Sequence, residues 1–229
     1  MNQRVFPSKQ LAGAIASDAA ALIQQKLKTR PRFNLVLTGG TLGIETVKEL
    51  GMLDLDWSRV EIWLGDERFV ELDSADRNEG QAIAVWPRLA ELNLHRFPSP
   101  EAHTLTEAAA AFSMKFESEF GELAAPDSVF DLVLLGMGPD GHVASLFPGV
   151  SHGPAWVVAE ADSPKPPSER LSLSYEALNR ADEVWFLVSG VAKADALREA
   201  LAGSDLPAAK VSGMNETVWY LDQEISDAL

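Results

Sequence analysis

Three short apolar runs, Phe33 to Leu37, Val60 to Leu64 and Phe130 to Leu135, each stop at a turn built from glycine or acidic residues. The first closes on Thr38-Gly39-Gly40-Thr41 and passes into a helical segment from about Leu42 to Leu50. The second closes on Gly65-Asp66-Glu67-Arg68, and a polar loop runs on to about Asn78. The third is apolar throughout after Asp131, as a strand covered on both faces must be, and closes on Gly136-Met137-Gly138-Pro139-Asp140-Gly141-His142. Ahead of them, Leu11, Ile15, Ala19, Leu22, Ile23 and Leu27 recur at spacings of three and four between Pro7 and Arg30-Pro31, which predicts an amphipathic helix lying on a sheet. Further helices are expected at roughly 79–92, 104–120 and 192–201, and further strands at 156–159, 171–173, 184–188 and 218–221. The first strand is expected near Phe33, with one helix before it. Such alternation predicts an α/β fold: a Rossmann-like, mostly parallel sheet with helices on both faces, a three-layer sandwich.

With 229 residues, 46% of them hydrophobic, the chain has enough apolar material for one packed domain spanning 1–229. The stretch Asp162 to Glu169, which holds three prolines, reads as a mobile loop and not as a boundary. Nineteen Lys and Arg against thirty-four Asp and Glu give a formal net charge of −15, a field that repels polyphosphate backbones and argues against a nucleic-acid partner. The absence of cysteine excludes disulfides, a thiol nucleophile and Cys-ligated metal sites. Met1 to Pro7 lacks a basic segment leading into an apolar core, and no apolar run approaches about 18 residues, so a cytoplasmic chain without membrane contact is expected. His95, His103 and His152 match no metal spacing, and no G-x-S-x-G elbow is present. Neither metal nor cofactor is expected, and a monomer is the favoured state.

In open α/β sheets ligands bind beyond the carboxyl ends of the strands, so three special turns at consecutive strand ends mark a site. Gly39 and Gly40 let backbone approach a ligand, and the helix after them aims free N–H groups at an anion such as phosphate. An ordinary strand-to-helix turn uses the same residues. No lysine follows in P-loop spacing. Residues 136–141 satisfy G-x-G-x-x-G, and Glu160 lies roughly where a ribose-binding acid would, but Phe147-Pro148-Gly149 and Gly153-Pro154 interrupt the helix that a dinucleotide-binding crossover requires. Asp140 and His142 flank a glycine: an imidazole can take a proton from water and a carboxylate can orient its ring, although a hydrogen-bonded loop histidine and a capping aspartate read the same way. Asp66, Glu67 and Arg68 supply two acids and a guanidinium, or a surface ion pair. Arg170 opens an apolar strand, and Lys193 stands in the first turn of a helix, where its charge opposes the dipole. An anion between them would reconcile both, Arg170 giving a forked contact and Lys193 a point charge; solvent-facing cations are the plain alternative.

Taken together these segments resemble the 6-phosphogluconolactonase family, within the larger group that includes glucosamine-6-phosphate deaminase and ribose-5-phosphate isomerase. The resemblance runs from Leu35 to Asp222. It is carried by Trp63-Leu64-Gly65-Asp66-Glu67-Arg68-Phe69-Val70 with Asp76-Arg77-Asn78, and by Leu134 through His142 with Ala144-Ser145-Leu146-Phe147-Pro148-Gly149. Arg170, Gly190 with Lys193-Ala194, Pro207-Ala208 and Trp219-Tyr220-Leu221-Asp222 follow in the family's order. The resemblance implies hydrolysis of 6-phosphoglucono-1,5-lactone to 6-phosphogluconate, the second step of the oxidative pentose phosphate pathway. It also implies a phosphate pocket of Gly39, Gly40, Thr41, Arg170 and Lys193, His142 as base with Asp140 beside it, and Asp66, Arg68 and Asn78 lining the lactone side.

Two positions depart from the family's pattern: Thr41-Leu42-Gly43 stands where many relatives have Ser-Thr-Pro, and Glu71 replaces a proline. Deaminases of the group place a glutamate five residues after the histidine and a tyrosine at the position of Arg68; here the first of these is Phe147. Sugar-phosphate sensors of the same fold carry a helix-turn-helix, for which a chain whose first strand starts near Phe33 leaves no room.

Overall fold

The computed structural model describes residues 2–122 and 127–229. In chain order the elements are β1 (Asn2–Phe6), α1 (Ser8–Lys26), β2 (Phe33–Leu37), α2 (Gly40–Gly51), β3 (Val60–Leu64), β4 (Asp66–Arg68), α3 (Asn78–Val85), β5 (Asn93–Leu94), α4 (Leu105–Phe120) and β6 (Phe130–Gly136). There follow β7 (Val157–Glu160), β8 (Arg170–Leu173), α5 (Tyr175–Leu178), β9 (Ala181–Val188), α6 (Ala194–Leu201), β10 (Glu216–Asp222) and α7 (Gln223–Asp227). Seven strands form one sheet in the order β1-β10-β9-β6-β2-β3-β5, every pair parallel, with helices packed around it. This is the expected α/β architecture.

The order explains the burial. β6 lies in the middle of the sheet, and its residues Phe130 through Leu135 are all buried. Two places along, beyond β2, β3 is buried along its whole length, and Trp63 there meets Phe116 of α4 at 4.6 Å between ring centroids. Phe112, Phe116 and Phe120 recur every fourth residue on α4 and form one aromatic face, against which Trp156 stacks at 5.5 Å from Phe116. The helix starts where Thr104 and Glu107 satisfy each other's backbone N–H in a capping box.

Four expectations need correction. The first strand is not near Phe33: β1 precedes α1 and pairs with β10 at the sheet edge. Its mostly polar sequence hid it, because a strand at an edge has only one hydrogen-bonded neighbour and little burial to satisfy. The helix expected over 79–92 ends at Val85 and resumes as a 3-10 turn at Pro87, since proline lacks the needed N–H and drives Trp86 out of helical geometry. The loop after Gly65 contains β4. Strands β7 and β8 leave the main sheet and join β4 in a separate antiparallel sheet ordered β4-β8-β7.

From β2 the chain moves outward through β3 and β5; from β6 it moves the other way through β9 and β10. The reversal falls between β2 and β6, and the crevice outside their carboxyl ends is where this topology leaves room for a ligand. Thr38 and Gly136 bound that crevice, joined by a 3.1 Å hydrogen bond from the Gly136 N–H to Thr38 Oγ1. No helix occupies the segment between β6 and β7, in keeping with the proline and glycine interruptions seen there.

Candidate active site

A single cavity of about 340 Å³ opens at this reversal point. Gly39, Gly40, Thr41, Asp66, Arg68, Asn78, His142, Arg170 and Lys193 all line it, so every expected site residue but one faces the same space. The exception, Asp140, borders it through His142, whose Nδ1 is 2.5 Å from Asp140 Oδ1.

The floor is backbone. Gly39 caps α2 in extended geometry, and Gly40 has φ of +76°, which an L side chain adopts only under strain. Among the described residues no side chain caps the helix, and no acid stands in its first turn, so its leading N–H groups remain available to an anion. Gly39 has a second reason to lack a side chain: a Cβ there would overlap the carboxamide of Asn78.

Asn78 is fixed from below. Its Nδ2 donates to the Asp66 carbonyl at 3.0 Å, while its Oδ1 is buried without a partner among the described residues. The Asp66 carboxylate accepts from Ser145 Oγ at 2.6 Å. Behind both sits Glu67, fully buried, which accepts from the backbone N–H groups of Arg68, Asn78 and Glu79 and thereby caps α3 from a distant strand. Burial pushes the Glu67 carboxyl up to about 7, against the pull of those donors and of Arg77. A raised carboxyl holds a proton that the unfolded chain releases, so this group's contribution is fullest below about 4.5 and is lost as pH rises through about 7. Glu67→Gln replaces one acceptor oxygen with a donor facing a backbone N–H. Its expected cost is about 1–3 kcal/mol, read by chemical denaturation, with the gap to the parent protein narrowing between pH 5 and 8.

Beside the floor, the imidazole packs over Gly138, where a Cβ would strike both the His142 ring and the Asp140 carboxylate. Burial disfavours the Asp140 charge, but the adjacent His142 and its ring and backbone hydrogen bonds outweigh it and hold the carboxyl below the usual aspartate value. An ionised carboxylate only accepts, so Nδ1 carries a proton, and the neutral form of such a ring has its lone pair on Nε2. Phe147 lies 4.9 Å from the His142 ring, an apolar neighbour.

Cations line the same cavity. Arg68 and Arg170 are directly opposed across β4 and β8, and Arg68 donates to the Asp76 carbonyl at 2.6 Å. Arg170 spends Nε on the Pro167 carbonyl and Nη2 on that of Lys165, with Nη1 4.0 Å from Asp66. The forked contact expected of it is thus partly used on its own loop. Lys193 lies in a 3-10 turn just before α6, not inside that helix, and its ammonium has no hydrogen bond or ion pair among the described residues. Burial lowers it below the ordinary lysine value; Asp222 resists that change and Lys165 adds to it.

Lys165, with Ser163 and Pro166, reaches the cavity from the loop after β7, a contribution that no spacing in the sequence signalled. Among the described residues four cationic side chains, Arg68, Lys165, Arg170 and Lys193, therefore face one lining carboxylate, Asp66, in a protein of net charge −15.

Residues 7–219 match the family described as glucosamine-6-phosphate isomerases/6-phosphogluconolactonase. The chain is 39% identical over 235 residues to a 6-phosphogluconolactonase of Mycobacterium leprae, covering 95% of this chain and 93% of that one. It is 35% identical to the 6-phosphogluconolactonase of Streptomyces coelicolor, over 96% of this chain and 90% of the relative. The crystal structure of the Thermotoga maritima 6-phosphogluconolactonase superposes with a TM-score of 0.86 at 28% identity, covering 97% of this chain and 99% of the other.

Proposed function

Because the chain belongs to the glucosamine-6-phosphate isomerase/6-phosphogluconolactonase family, we propose that it hydrolyses 6-phosphoglucono-1,5-lactone to 6-phosphogluconate, in the pentose phosphate pathway, with His142 as general base. The observation that carries this reading is the meeting of an Asp140-oriented imidazole and an anion cradle in one cavity.

The phosphate sits against the leading N–H groups of α2 at Gly40 and Thr41, with Arg170 and Lys193 beside it and Lys165 above. That contact holds the sugar by a group remote from the reaction and aligns C1 with the imidazole. Asp66, Arg68 and Asn78 face the ring hydroxyls. Nε2 of His142 takes a proton from water as the water adds to C1, and the imidazolium, steadied by Asp140, returns a proton to the ring oxygen as the C1–O5 bond breaks. A lactone is already an activated ester, and general base catalysis worth about 10²–10⁴, together with orientation, accounts for a useful rate.

Local cations explain how an acidic protein takes an anionic substrate: binding depends on the groups within reach, and net charge acts mainly on the rate of approach. Every group invoked belongs to one chain, so a monomer suffices. No helix among the described residues is long and apolar enough to cross a membrane, and a cytosolic site suits a water-soluble substrate. Aldose–ketose isomerisation is disfavoured because Phe147 offers no proton carrier.

The test is the rate of acid release from freshly generated 6-phosphogluconolactone, with the unphosphorylated lactone as control. Saturable acceleration of the phosphorylated lactone, and weak or no acceleration of the other, is expected; equal action on both would remove the phosphate cradle from the account.

A further inference from the structure

Lys193 owes its place to a residue that never reaches the cavity. Asp222 ends β10 and is almost wholly buried. One of its oxygens accepts from Ser189 Oγ at 2.5 Å and from the Gly190 N–H at 2.8 Å; the other accepts from the Ile225 N–H at 2.8 Å and caps α7. Ser189 and Gly190 are the two residues after β9, and Gly190, with φ of +94°, turns the chain into the 3-10 segment Val191–Lys193. The Lys193 N–H closes that turn on the Gly190 carbonyl at 3.1 Å. A buried carboxylate therefore grips the root of the turn whose tip is the cationic side chain.

We infer that Asp222 is a positioning residue for substrate binding, holding the 190–193 turn so that the Lys193 ammonium faces the substrate's phosphate. The inference rests on the phosphate-side reading of Lys193 given above and adds the part of the protein that enforces it. Asp222 contributes in a second way, through charge. The Lys193 ammonium is half-buried, and Asp222 is the acid that favours its charged form. The other ionisable groups lining the spaces beside Lys193 are Asp66, Arg68, His142, Lys165 and Arg170 in the cavity and Lys9, Glu45, Lys48 and Glu49 in the groove on its far side. A preorganised cation raises affinity by sparing the ordering cost at binding.

This connects two parts of the chain that look unrelated in sequence. The last strand of the parallel sheet runs beside β9, so its final residue lies next to the loop that follows β9. The hydrogen bonds of Asp222 use that adjacency, and α7 is capped by the same side chain.

A double-mutant cycle tests the inference. Asp222→Asn keeps the size of the side chain but sets an amide against the Gly190 N–H or the Ile225 N–H. It is expected to raise KM for 6-phosphogluconolactone by roughly tenfold with kcat within about twofold of the parent, the loss of one charged hydrogen bond. Lys193→Ala should raise KM by a similar factor. If Asp222 acts through Lys193, the double variant binds no worse than Lys193→Ala alone; multiplication of the two KM factors would overturn the inference, since independent sites add. Ser189→Ala removes a single bond and leaves the other two, so it serves if Asp222→Asn folds poorly, with an expected KM rise of about threefold that likewise disappears in the Lys193→Ala background. A parental KM in Ser189→Ala and Asp222→Asn alike would also overturn it. If Lys193→Ala itself leaves KM unchanged, what falls is the placing of the phosphate beside Lys193, a separate failure from that of Asp222.

Discussion

Replacing His142 with alanine is expected to lower kcat by about 10² or more while KM for 6-phosphogluconolactone changes little. In the proposed mechanism other groups make the phosphate contacts, so ground-state binding survives, and what is lost is the acceptor for water's proton. The same reasoning fixes the behaviour of Asp140→Asn. In the proposed neutral imidazole the carboxylate accepts from Nδ1 and leaves Nε2 with its lone pair; an amide turned to donate at Nδ1 would move the proton to Nε2 and abolish the base. Steady-state kinetics on the two variants check this. A parental kcat in His142→Ala would remove the histidine from the chemistry.

Arg170→Ala has the second large effect, and its signature is the reverse. Arg170 belongs to the cation wall, and it also holds the carbonyls of Pro167 and Lys165, so its removal takes away one charged contact and loosens the segment that carries another. Charge-assisted hydrogen bonds of about 1.5–3 kcal/mol correspond to a rise in KM of roughly 10- to 100-fold, with kcat nearly kept at saturating substrate. Arg170→Lys should recover little of this, because a single ammonium cannot reach the loop carbonyls and an anion in a planar fork. Were Arg170→Ala to alter neither KM nor kcat, the phosphate would have to bind elsewhere.

How far the sequence foretells this arrangement depends on what kind of residue is asked about. Strand-end turns such as Thr38-Gly39-Gly40 and Gly136 through His142 are legible because a buried parallel strand has an unmistakable apolar run and its ligand-facing end is set by topology. Those two turns do meet across the crevice, bridged by Thr38 and Gly136. Strand β1 is less legible, since Asn2, Gln3 and Arg4 carry no apolar alternation and the edge requires none. The break at Trp86-Pro87 was readable from proline alone, and the apolar periodicity around it masked the signal.

Site residues divide in the same way. His142 and Asp140 are neighbours in the chain, so their pairing follows from local geometry. Lys165 reaches the cavity from a loop whose carbonyls Arg170 binds, and Glu67 caps α3 from sequence separations of eleven and twelve. These contacts are tertiary, and no local spacing encodes them. The expected helical position of Lys193 failed for a related reason: the turn that carries it is set by Gly190 and by Asp222 on another strand.

The most direct measurement is a crystal structure with 6-phosphogluconate bound. The phosphate should accept hydrogen bonds from the Gly40 and Thr41 N–H groups, Arg170 and Lys193, and the C1 carboxylate should lie within about 3 Å of Nε2 of His142. A phosphate seated against His142 itself, or a sugar held outside the cleft between β2 and β6, would contradict the account.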